Sequence, residues 1–154
     1  LAGIDDVSCG RMAARTLAAR GCRGAVFLGG PQAATSTEDR LRGFLSGAAR
    51  QGPTVTAGFA AGCPFEAGRA GMQRLLAKCP PAEAHFCGED VIAIGARRAL
   101  SALGDSGLDV PGEVGPLGVN HMETAGWPPI GMTTIRQPVP KIIAASVDLA
   151  LAAA

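Results

Sequence analysis

Tyrosine is absent from this 154-residue chain, and only two histidines are present, His85 and His121. With so few imidazoles, zinc chemistry or a catalytic triad would need unusual partners. There is no Gly-x-Ser-x-Gly elbow, no phosphate-binding loop ending in Gly-Lys-Ser/Thr and no paired His–Cys arrangement, so the sequence points to no enzymatic reaction. Gly29-Gly30 lacks the Gly-x-Gly-x-x-Gly spacing of a dinucleotide site. An excess of one charge is also missing. The net charge is +1, which argues against a polyanion-binding surface in this stretch. Hydrophobic residues make up 47%, yet no apolar run approaches the roughly 18 residues of a membrane span. The five cysteines (Cys9, Cys22, Cys63, Cys79 and Cys87) are odd in number and never spaced Cys-x-x-Cys. Neither a disulfide framework nor a metal site is expected. Reduced thiols in a cytoplasmic protein are the simpler reading, with Cys87 a small buried hydrophobe. The first residues have no basic start and no apolar core, so they do not read as a signal peptide. Without an initiator Met, the chain is expected to be a fragment or processed product.

Small residues stand in place of the missing ones, with 22 glycines among them. They allow close packing of helices on a sheet and sharp turns. The stretch Ala25 to Phe44 organises the rest. Residues 25–28 form a short apolar run bounded by glycine, the mark of a strand buried on both faces. Gly29, Gly30 and Pro31 stop it. Ser36 and Asp39 have the spacing of a capping box. Leu41, Phe44, Leu45 and Ala48 then recur as the apolar stripe of a helix.

The rest of the chain repeats this alternation. A first helix over 7–19 is capped by Asp5, Asp6 or Ser8, buries Met12, Ala13 and Leu17, and ends at Gly21. Strands are expected at 24–29, 54–59, 83–87, 114–119 and 131–135. Helices follow over 37–50, from Pro64 to the Pro80-Pro81 stop, from about 90 to Gly104, and from 139 onward. Asp109 to Gly112 reads as a turn. Strand–helix alternation predicts an α/β fold, a parallel sheet with helices on both faces. Ligands of such sheets bind beyond the carboxyl ends of the strands, where the loops Gly30–Arg40, Ala60–Phe65, Gly88–Asp90 and Asn120–Glu123 collect.

Arg40 would start the helix leaving the first of these loops. Its planar fork suits vicinal hydroxyls or a carboxylate; a solvated surface charge is the alternative. Glu89-Asp90 stands between a strand and a helix, where carboxylates cap the helix or accept hydrogen bonds from a polyol. His85 reads as a core or edge residue. His121 is either a hydrogen-bonding pocket group or a turn residue.

Seven motifs in order resemble the effector-binding part of LacI/GalR-family transcriptional regulators. They are Asp5-Asp6-x-x-x-Gly10; Leu17-Ala-Ala-Arg-Gly-Cys-Arg23 with Val26-Phe-Leu-Gly-Gly-Pro31; Arg40-Leu-Arg-Gly-Phe44; Phe86-Cys-Gly-Glu-Asp-Val-Ile-Ala-Ile-Gly95; Val110-Pro-Gly-Glu-Val114; Leu117-Gly-Val-Asn120; and Met132-Thr-Thr-Ile-Arg-Gln-Pro138. The resemblance implies a periplasmic-binding-protein-like fold of two lobes with a small ligand between them. Residues 1–7 would enter from a first lobe, 8–130 would form the second, and 131–154 would return to the first. Most of the first lobe and the helix-turn-helix headpiece would then be absent. By the same resemblance Arg40 and Asp90 align with effector-contacting residues, and Asn120 lines the cleft. His121 stands where the family has Asp, and Glu89 where it has Asn. The family's ligand-stacking aromatic falls on Cys63, with Phe65 two residues on as a substitute. The implied function is non-enzymatic, with no cofactor and no membrane. A sugar or sugar acid would alter the affinity of a homodimeric bacterial repressor for operator DNA. The rival is the periplasmic sugar-binding protein of an ABC transporter, with the same fold. A doubly wound enzyme acting on a sugar phosphate is a distant third.

Overall fold

Short apolar segments closed by glycine form the central strands, and segments rich in small residues form the helices between them. A computed structural model describes residues 3–79, 82–102 and 115–153. Helices α1 (Asp6–Ala18), α2 (Thr35–Gln51), α3 (Phe65–Leu76), α4 (Asp90–Ser101) and α5 (Val139–Ala152) alternate with five strands. These are β1 (Gly24–Gly29), β2 (Thr54–Phe59), β3 (Ala84–Cys87), β4 (Gly115–Val119) and β5 (Thr133–Ile135). All pairings are parallel, in the order β2-β1-β3-β4-β5. The expected α/β class is therefore the observed one.

Because β1 lies between β2 and β3, the winding reverses at β1. α2 crosses one face on its way to β2, and α3 and α4 cross the other. The period-2 alternation of β1 supplies both cores. Ala25 and Phe27 join Leu17, Phe44, Phe86 and Val119 under α1 and α2. Val26 and Leu28 join Met72, Cys87, Ile92 and Leu100 under α3 and α4. Three phenylalanines fill the first core, with ring centroids 5.1 Å apart for Phe44–Phe86 and 5.5 Å for Phe27–Phe86. Truncating one of them would cost about 3–5 kcal/mol.

Glycines shift the helix stripes from the expected positions. A Cβ on Gly10 would strike the α2 backbone at Arg40, and one on Gly43 would strike the α1 backbone at Val7. α2 therefore buries Arg40, Gly43, Phe44, Gly47 and Ala48. This turns Leu45 outward, to 44% exposure, and Met12 of α1 to 43%. Ala13, Leu17, Phe44 and Ala48 are buried as expected. The Ser36–Asp39 capping box does not form. α2 starts earlier, at Thr35 after Ala34, with no side-chain cap, and Asp39 pairs instead with Arg42 at 2.6 Å. α1 is capped by Asp5, whose Oδ1 accepts from the Ser8 amide at 2.8 Å. Gly21 follows α1 with φ +80°, the left-handed geometry that ends helices. The Pro80-Pro81 stop, the end of α4 at Gly104, the Asp109–Gly112 turn and residue 114 lie outside the described residues.

His85 sits fully buried in β3, between Val26 of β1 and Pro116 of β4. Neither ring nitrogen has a partner among the described residues. Burial pushes its pKa down to about 4, so the ring is neutral at pH 7. α5 differs from the other helices. It buries nothing, and Val139, Ile143, Val147, Leu149 and Leu151 are all exposed. No helix among the described residues is long and apolar enough to cross a membrane.

Candidate functional site

The reversal of winding at β1 separates the loops leaving β1 and β3 and opens a crevice at their carboxyl ends. Two polar assemblies flank it. The first is built on Arg40. Since α2 begins at Thr35, Arg40 lies in its second turn, not at its start, and is only 5% exposed. Its Nε donates to Asp6 Oδ1 at 2.7 Å, and Nη1 donates to the Gly88 carbonyl at the β3 exit. Arg40 thus ties α1, α2 and the β3 exit together and is no solvated surface charge. A carboxylate beside a buried guanidinium compensates its charge.

The second assembly is built on Asp90. The carboxylate was expected to cap α4 or face a polyol. The structure gives it neither position, because Asp90 is fully buried and both oxygens are taken from elsewhere. Oδ2 accepts from the Met122 amide at 2.7 Å, and Oδ1 accepts from the Thr134 hydroxyl at 2.5 Å. A Cβ on Gly118 would collide with this carboxylate, so glycine there makes room for it. Asp90 therefore fastens the β4 exit to β5. The backbone it fastens is strained, with Asn120 at φ 112° and His121 at φ 58°. Non-glycine residues hold such angles only where the surroundings over-determine them. Here the Asn120 amide donates to the Ile135 carbonyl at 3.0 Å, and the His121 amide donates to Thr134 Oγ1 at 3.1 Å. The Gln137 amide donates to Asn120 Oδ1, and the Arg136 guanidinium lies against His121 Nε2.

The expected site residues therefore separate. Asn120 and His121 lie together at the β4 exit, and Arg40 braces the β1–β3 crevice from inside. Asp90 has no exposed surface. Phe65 opens α3 but lines a groove with Arg69, Arg98 and Ala99. That groove runs between α3 and α4, away from the strand exits. Cys63 reaches the crevice. Its sulfur lies 3.4 Å from where a Cβ on Gly30 would be, and the thiol is pushed up by burial and then by the negative charge of Glu89. Asp6, Thr134, Arg136 and Gln137 were not singled out as individual site residues. All four lie inside motifs of the sequence pattern, where position was the only signal. A concavity of about 440 Å³ lies at the opposite end of β4, lined by Thr16, Arg20, Arg97, Pro116, Met132 and Thr133 among others.

Residues 14–154 match the model of the periplasmic binding protein-like domain family. The chain belongs to this family. Within the periplasmic-binding-protein-like family it is similar to the effector-binding part of LacI/GalR regulators. It is 33% identical over 131 residues to the HTH-type transcriptional repressor PurR of Escherichia fergusonii, a match covering 84% of this chain and 38% of the repressor. A solved complex of the transcriptional regulator CelR with cellobiose superimposes with a TM-score of 0.76 at 29% identity, over 88% of this chain and 41% of that one. The fold is also that of an ABC transporter periplasmic solute binding protein from Actinobacillus succinogenes solved with bound D-allose. That match has a TM-score of 0.80 at 24% identity, over 97% of this chain and 52% of the other. The chain spans less than half the length of the curated repressors it matches.

Proposed function

We propose that this chain is the effector-sensing part of a bacterial LacI/GalR-type repressor. A small polar ligand, a sugar or sugar acid, sits at the strand exits between this lobe and a second one. Residues 8–130 form this lobe, and residues 131–154 lead back to the other, where α5 would lay its exposed aliphatic face. Ligand binding favours one relative orientation of the lobes. It alters operator affinity only by the difference in ligand affinity between the two orientations. Operator DNA is contacted by a helix-turn-helix outside these 154 residues, in a homodimer that matches two half-sites. The reaction class is binding, with no catalysis and no cofactor.

The observation that carries this reading is the strained, over-determined β4 exit beside the Arg40-braced crevice. Asn120 and His121 are presented there on a rigid scaffold, as a preorganised site requires. Asp90 and Arg40 act mainly by holding that geometry, Arg40 through Asp6 and the Gly88 carbonyl. Phe65 contributes only through α3. Similarity to PurR favours regulation over transport, since the likeness to the transporter protein is one of fold.

The test is a thermal-shift screen of the intact protein against sugars and sugar acids, followed by an operator mobility shift. A ligand at 100 times its dissociation constant stabilises the native state by about 2.7 kcal/mol. A hit that also changes operator affinity supports the regulator. A hit with no effect on any DNA complex points to the transport protein. The absence of any hit contradicts the sugar reading.

A further inference from the structure

β4 begins at Gly115, but β5 joins it only from Leu117 onward, in the register Leu117↔Thr133, Gly118↔Thr134 and Val119↔Ile135. Among the described residues, the edge of β4 at Gly115 and Pro116 therefore has no strand on the β5 side. The chain leading into β5 turns tightly here. The Ile130 and Gly131 amides both donate to the Trp127 carbonyl at 2.8 Å, and Gly131 takes φ +48°. What is left beside Gly115 and Pro116 is the concavity of about 440 Å³, a volume typical of small-molecule sites. It lies at the amino end of β4, roughly 13 Å along the strand from the exits that carry Asn120 and His121.

The lining combines cations with apolar surface. α1 and the turn after it contribute Leu17 and Arg20, α4 contributes Arg97, and Met132 and Thr133 close the β5 end. No Asp or Glu among the described residues lines it. Arg20 is exposed and Arg97 half-buried, and neither has an ion pair among the described residues. Arg97 Nη1 donates to the Pro129 carbonyl at 2.7 Å, while its Nε is buried with no acceptor among the described residues. Glu83 lines the adjoining depression with Arg20, and its Oε2 already accepts from the Arg23 amide at 2.5 Å. The carbonyls at the end of α1 do not compete for the guanidinium groups. Leu17 accepts from the Arg20 and Cys22 amides, and Ala18 from the Gly21 amide. The Thr16 hydroxyl is likewise spent on the Met12 carbonyl, at 2.9 Å.

Two guanidinium groups on one cavity repel each other unless an anion stands between them. Their planar forks suit the paired oxygens of a carboxylate or phosphate. We infer that this concavity is a second ligand site, which takes a small organic anion with a carboxylate or phosphate monoester head on an apolar body. Arg20 and Arg97 hold the head, and Leu17, Pro116 and Met132 cover the body. This site is separate from the strand exits and does not depend on what binds there.

The test is calorimetric titration of the intact protein with phenyl phosphate, benzoate and the neutral benzamide. At least one of the two anions should bind once per chain with a Kd below about 1 mM, and benzamide at least about tenfold more weakly. The tighter anion names the head group. Arg20→Ala and Arg97→Gln should each weaken the anion at least about fivefold. Arg136→Ala, which removes the exposed cation of the strand exits, should leave the affinity unchanged. Arg20→Ala has no ion pair to lose and should keep the parent melting temperature, so it decides the matter even where Arg97→Gln fails to fold. Failure of both anions to bind overturns the site, as does benzamide binding as tightly as they do. Anion binding that survives Arg20→Ala, or that is lost in Arg136→Ala, overturns it too, the latter by placing the anion at the strand exits.

Discussion

The β4 exit and the β3 exit are neighbours in the sheet and are built in opposite ways. At β4 the polar side chains turn inward. Asp90, Thr134, Asn120 and Gln137 are each bonded to another group of the protein. At β3 Arg40 closes the base of the crevice, and the Glu89 carboxylate near it takes a hydrogen bond from the Cys63 thiol. Adjacent residues, Glu89 and Asp90, carry the same charge into these two surroundings. One is half-buried beside a thiol; the other is fully buried and bonded to a backbone amide and a hydroxyl. The difference teaches that in this fold a carboxylate's role follows from burial and partners and not from its place before a helix.

Removing the hub of the rim gives the largest expected effect. Asp90→Ala strands the Met122 amide and the Thr134 hydroxyl in a buried site, and it should lower unfolding stability by about 4 kcal/mol in denaturant titration. A loss below about 1 kcal/mol would mean that the β4 exit is held by something else. A buried group under both exits gives the next effect. The folded His85 has a pKa of about 4, below its unfolded value near 6.5. Its contribution to stability is therefore whole above about pH 6.5 and is lost as pH falls toward 4, by about 3 kcal/mol. His85→Leu should remove that part of the pH dependence, leaving only the carboxylate contribution. The brace comes third. Arg40→Met leaves Asp6 without its cation and should cost about 2 kcal/mol in the same titration. The smallest effect belongs to the half-buried carboxylate. Glu89→Gln should change stability by less than about 0.5 kcal/mol, because the amide oxygen can still accept from the Cys63 thiol, and a larger loss would show that the charge itself supports the fold.

Strand order aside, the fold was legible because β1 and β3 are short apolar runs closed by glycine, and α1 is bracketed by recognisable signals, Asp5 before it and Gly21 after it. The stripes of α1 and α2 were misread at Met12 and Leu45. Periodicity finds a face, but Gly10 and Gly43 decide how close two helices come and thus which face is buried. Site position was legible too, because the exits of a parallel sheet share one edge. Individual roles were not. Arg40 and Asp90 look like ligand residues in the sequence, yet their partners Asp6, Gly88, Met122 and Thr134 lie 32 to 48 residues away, and no local pattern shows that their hydrogen bonds are already taken. Phe65 illustrates the same limit. It is the nearest aromatic in sequence to the expected stacking position, but the helix turns it into the α3–α4 groove.

Amide hydrogen exchange at Met122 tests the central claim most directly, because that amide donates to Asp90 at 2.7 Å. Asp90 is taken here to hold the rim, and Glu89 to stand apart from it. Asp90→Asn should then speed exchange at Met122 at least about tenfold relative to the parent, while Glu89→Gln leaves it unchanged. Equal protection of Met122 in the parent and in Asp90→Asn, or equal loss in both variants, would contradict the division of labour between these two neighbouring carboxylates.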